Sequence, residues 1–82
     1  MLAENSRSGQ LLTVSDTATI GSAIRQARKA HGLTQSQLAG LAGTGLRFVS
    51  ELERGKPNVN LHKILAVLAV LGLRLQITGA RS

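Results

Sequence analysis

The chain has 82 residues, too few for a second core, and ten Lys and Arg against four Asp and Glu leave a formal charge of +6. A domain this small buries only about 60% of its unfolded surface, and without cysteine it has neither a disulfide nor a thiolate metal site to staple it. The basic surplus points to a polyanion, with duplex nucleic acid first; a single aromatic, Phe48, excludes stacking recognition of single strands, and no apolar run approaches the roughly 20 residues of a membrane span.

Residues 1–14 read as a loose N-terminal arm, with Leu11–Val14 a candidate short strand inside it. Asp16 carries N-cap chemistry. Ile20, Ile24, Ala27 and His31 follow at helical spacing and predict one narrow apolar stripe on a helix from Thr17 to His31, which Gly32 stops. Thr34-Gln35-Ser36-Gln37 fits a capping box, opening a short helix through Leu38, Ala39, Leu41 and Ala42. Gly43 lies just past its end, where a left-handed backbone favours glycine. A third helix is predicted from Leu46 to Arg54, with Val49 and Leu52 turned inward and Gly55 as its stop.

Lys56-Pro57-Asn58 is a loop, and Asn60 caps a fourth helix that Gly72 ends. Leu61, Ile64, Leu65, Leu68 and Leu71 are expected to fill the core from this helix. Val67, Val70 and Leu73 lie off that stripe, so a helix apolar all round needs a further cover, and a two-fold partner is the natural one. Residues 73–78 alternate apolar and polar, the pattern of a half-buried strand. Its open edges are closed by pairing across a dimer axis or, as a rival, with Leu11–Val14 of the same chain. The dimer is preferred, with Val67, Val70, Leu73, Leu75 and Ile77 as its interface.

Two short helices around a glycine turn make a helix-turn-helix. The crossing of the helices needs a small residue, and Ala39 stands there. The turn needs a glycine four positions on, at Gly43, and the second helix needs an apolar inner residue six further, at Val49. Cap, turn and stop agree with one another, which chance rarely produces. Catalysis finds no support. Glu51 and Glu53 are two apart and do not share a helix face. His31 and His62 lack metal-ligand spacing, and Gly43-Thr44-Gly45 has neither the strand nor the third glycine of a dinucleotide loop. No enzyme activity, cofactor or metal is expected.

The stretch from Gly32-Leu33-Thr34-Gln35 through Leu52-Glu53-Arg54-Gly55-Lys56-Pro57 resembles the Xre-type repressors, the group that includes the lambdoid phage repressors. A closer resemblance, carried by SELERGKP at 50–57 and LGLRLQI at 71–77, is to HipB-like antitoxins of type II toxin–antitoxin systems. The resemblance implies an all-α, four- to five-helix lambda-repressor-like domain over 15–72, with a dimerisation strand and short tail over 73–82. It implies that Leu46, Arg47, Ser50 and Glu51 face DNA bases. Thr34, Gln35, Gln37, Arg54 and Lys56 are then placed near phosphates, Gln35 also bracing the recognition helix, and Arg28 pairs internally with Glu53. Arg47 is the main base reader expected, since a guanidinium grips guanine O6 and N7 together. Gly45 stands where the family has a polar N-cap and Leu46 where it has a polar reader. The implied function is a cytoplasmic bacterial repressor that binds a palindromic operator as a homodimer, partnered by a HipA-like kinase toxin. A stand-alone Xre-type repressor or a controller protein is the alternative.

Overall fold

The structure, a computed structural model, describes residues 13–79. Four helices follow one another: α1 Thr17–Ala30, α2 Gln35–Ala42, α3 Leu46–Glu53 and α4 Leu61–Val70. Side-chain oxygens open three of them. Asp16 Oδ1 accepts from the Thr19 amide at 2.8 Å, and Asn60 Oδ1 accepts from the Lys63 amide at 3.0 Å. At α2 the Gln37 amide donates to Thr34 Oγ1 at 3.0 Å, while the Thr34 amide donates to Gln37 Oε1 at 2.9 Å, a complete capping box. Gly45 opens α3 with no side-chain cap.

All four helices close alike. The amide one residue past a glycine reaches back five positions, from Leu33 to Arg28 O, Thr44 to Ala39 O, Lys56 to Glu51 O and Leu73 to Leu68 O, at 2.9–3.1 Å. This wrap requires a left-handed residue before that amide, and Gly43, for example, sits at φ 71°. α1 ends at Ala30, with His31 as its cap rather than its last helical residue.

α2 packs on both α3 and α4, and α1 packs on α3. The core these contacts enclose consists of Ile24, Leu38, Ala39, Val49, Leu52, Ile64, Val67, Leu68 and Leu71. Here the structure corrects the reading of α4. Val67, expected at a dimer interface, is fully buried within the chain, whereas Leu61 and Leu65, expected in the core, are exposed. Ile64, Leu68 and Leu71 belong to both possible stripes, so α4 is simply rotated toward its Val67 side where it meets α2. Val70 and Leu73, also assigned to the interface, are half-buried against the same core.

Within the single chain, 73–79 form no ladder. A strand is defined by its partner, and the alternation of this segment leaves Leu75 and Ile77 exposed. Leu11 and Leu12 lie outside the described residues; Thr13 and Val14 are exposed and non-helical, and form no strand.

Candidate nucleic-acid interface

One carboxylate organises the region around α3. Glu53, its last residue, accepts from Arg28 Nε at 2.6 Å, Arg28 Nη2 at 3.0 Å and Gln35 Nε2 at 3.0 Å. Arg28 comes from α1 and Gln35 from the first position of α2, so three helices are tied at a single group. Arg28 also donates through Nη1 to Leu33 O at 2.8 Å, which fixes the connection into α2. The Glu53 side chain is only 3% exposed. Burial pushes its carboxyl pKa up, but the hydrogen bonds from Arg28 and Gln35 and the attraction of Arg28 and Arg25 outweigh it, so the pKa is lowered on balance. Hydrogen bonding to Glu53 raises the Arg28 pKa, over an opposing burial effect. Both groups are therefore charged at neutral pH, and α3 is locked in orientation.

With Val49 and Leu52 turned inward, the outer row of α3 begins at Leu46, exposed at the helix start, and continues through Arg47, whose side chain is 90% exposed. Neither Ser50 nor Glu51 is free of neighbours. Ser50 Oγ accepts from Arg54 Nη1 at 2.7 Å. Glu51 accepts from Arg47 Nε at 3.2 Å and from Lys56 Nζ at 3.1 Å. Those bonds, Lys56 first and Arg47 next, hold the Glu51 carboxyl below its ordinary pKa. In the capping box the Thr34 side chain accepts from the Gln37 amide and the Gln37 side chain from the Thr34 amide, which leaves the amides of Gln35 and Ser36 at the α2 N-terminus without a side-chain cap.

Sequence reasoning passed over Arg25. It lines one shallow notch with Gln35, Ser50, Glu53 and Arg54, adding a cation beside the α2 N-terminus. The signal was available: Arg25 precedes Arg28 by three positions and so shares its helix face. Lys63 of α4, also unassigned, lies with Nζ 5.6 Å from the centre of the Phe48 ring. Among the described residues no group of three His, Asp or Glu could hold a metal ion, and no helix is long and apolar enough to cross a membrane.

An eight-residue helix braced on its inner side by α1 and α2, with its outer row exposed, is how a helix-turn-helix domain enters a DNA major groove. That geometry defines the class, a DNA-binding helix-turn-helix regulator. Comparison with known proteins narrows it. The helix-turn-helix family HTH_3 matches residues 24–77, and the chain belongs to this family, the Xre type. An uncharacterized HTH-type transcriptional regulator, y4mF of Sinorhizobium fredii, is 48% identical over 60 residues, covering 73% of this chain and 79% of its own. The restriction-modification controller protein C.AhdI from Aeromonas hydrophila superposes with a TM-score of 0.66 at 37% identity, over 72% of this chain and 86% of its own. A HipB-O4 20mer complex contains a chain of the same fold, with a TM-score of 0.77 at 24% identity over 87% of this chain and 100% of its own.

Proposed function

We propose that this regulator is a homodimeric transcriptional repressor that reads a palindromic operator in the bacterial cytoplasm, and that it is the antitoxin partner of a HipA-like kinase toxin. The observation that carries the DNA reading is the exposed Leu46–Arg47 end of α3, presented by a helix whose other end is clamped through Glu53. Arg47 approaches base edges, and Leu46 at the helix start is placed to meet a thymine methyl. The α2 amides, Gln35, Arg54 and Lys56 take phosphates, and Arg25 joins them.

A single such surface reads one half-site. Two of them about one duplex turn (~34 Å) apart read a palindrome, and exposed Leu75 and Ile77 in an alternating segment provide the pairing edge. The antitoxin role rests on the likeness of SELERGKP and LGLRLQI to HipB-like sequences. A controller or stand-alone repressor is the second reading, favoured by the 37% identity to a restriction-modification controller.

A gel-shift against the duplex upstream of the protein's own coding sequence tests the DNA reading. Retention at moderate salt and micromolar protein is expected, and no retention would overturn it. Co-purification of a kinase encoded beside it separates the antitoxin from the controller.

A further inference from the structure

Glu51 is an acid in the middle of a surface built to meet a polyanion, and the +6 chain has only three other acids. Its two oxygens are divided between two cations, Oε2 accepting from Arg47 and Oε1 from Lys56. Backbone geometry delivers both. Arg47 precedes Glu51 by one helical turn, and the closing wrap of α3 bonds the Lys56 amide to the Glu51 carbonyl at 3.1 Å, folding the lysine back over its partner. Both cations remain reachable from solvent, with side chains 90% and 50% exposed, while Glu51 is only 20% exposed beneath them.

We propose that Glu51 is a specificity latch: it holds Arg47 and Lys56 away from non-cognate DNA and releases them where its carboxylate meets an amino donor on a base edge. This rests on the reading that α3 enters the major groove. On an arbitrary duplex, binding is driven by cations that displace counterions from phosphates. Each of the two must first leave Glu51, which then faces the groove as an unpartnered anion. Such a penalty against wrong sites is a standard source of discrimination. On a cognate site a cytosine N4 amine, which donates to carboxylates, replaces the lost partners. Arg47 then turns to a guanine and Lys56 to a phosphate. The acid lowers affinity everywhere except where one base pair compensates it.

The test compares the full chain with Glu51→Gln by fluorescence anisotropy, on a random-sequence duplex and on sites the wild type selects from a randomised library, over a salt series. The Gln variant is expected to bind the random duplex about tenfold more tightly, with a log–log salt slope steeper by about one to two. It should gain nothing on the selected sites and, in its own selection, lose preference at one base pair. An equal gain on both duplexes reduces Glu51 to a general charge effect and overturns the latch. So does a random-duplex affinity and slope matching the wild type. Wild type that binds neither duplex defeats the major-groove reading itself, and the latch with it. Thermal melting of the variant checks the fold, which is not expected to change because Glu51 lies outside the core.

Discussion

Gly21 of α1 lies so close to Leu52 of α3 that a Cβ on it would overlap the Leu52 carbonyl oxygen and come within 3.1 Å of Glu53 O. The obstacle is backbone, which cannot swing aside as a side chain would. This approach lets Arg28, about two turns further along α1, reach Glu53. Gly21→Ala is therefore expected to destabilise the domain by about 1–3 kcal/mol, the usual range for overpacking. Helix propensity alone predicts the opposite sign, a gain of about 1 kcal/mol. Urea unfolding decides between them, and an unchanged or raised midpoint would show that α1 and α3 are not packed this tightly.

The Arg28–Glu53 pair predicts a large loss when one member is removed. Glu53→Ala leaves the Arg28 guanidinium almost buried without its carboxylate partner, the Leu33 carbonyl alone remaining as an acceptor, a change that costs about 3–5 kcal/mol in comparable pairs. Because Glu53 also holds Gln35, DNA affinity should fall with stability, and circular dichroism melting followed by anisotropy separates the two effects. A melting temperature equal to the wild type would contradict the geometry.

The same pair sets a pH dependence. The Glu53 pKa in the folded chain lies below its ordinary value of 4.5, so the native state binds fewer protons than the unfolded state as Glu53 begins to titrate. Its contribution is complete above 4.5 and is lost as pH falls through the lowered folded value. Asp16 and Glu51 shift in the same direction, Asp16 in an exposed position where solvent screens it and Glu51 through cations that are themselves half or more exposed. Stability measured from about pH 6 downward should therefore decline in the wild type and decline less steeply in Glu53→Gln. Parallel curves would remove Glu53 from the acid response.

Arg47→Ala should weaken cognate binding by about 1–3 kcal/mol and relax preference at one base pair, the signature of a lost bidentate guanine contact. Equal weakening on cognate and random duplexes would reassign Arg47 to a phosphate. The fold should be untouched, because the side chain is 90% exposed.

For the proposed dimer, the informative position is Ile77, which is fully exposed in the single chain. Ile77→Glu is expected to turn a sedimenting dimer into a monomer without loss of helix. A persistent dimer would place the interface elsewhere, with exposed Leu61 and Leu65 of α4 as the next candidates. Val67 and Val70 are unsuitable probes, since Val67 lies in the chain's own core and Val70 packs half-buried against it, so a charge at either would disturb the fold as well as any interface.

Much of the fold is legible because its punctuation is local. The Thr34–Gln37 box involves residues three apart, and each closing wrap spans six residues around a glycine. The Arg47–Glu51 pair is likewise a one-turn spacing open to inspection. Lys56 as the second partner of Glu51 is not, because it depends on how the chain turns after α3.

Order along the chain was enough to determine where the helices start and, to within a residue, where they stop, and that two of them form a helix-turn-helix, since caps, turns and apolar spacing act over a few residues. Tertiary structure alone decided which face of α4 turns inward. That helix is apolar around too much of its circumference for periodicity to choose, and contact with α2 selected Val67 over Leu61 and Leu65. It also decided which charges remain available to DNA. Ten basic residues set the pull toward a polyanion, but Arg28 is committed to Glu53, and Arg47 and Lys56 are shared with Glu51. The Arg28–Glu53 and Lys56–Glu51 pairings arise where helices and their connections converge in space, at distances that net charge does not encode.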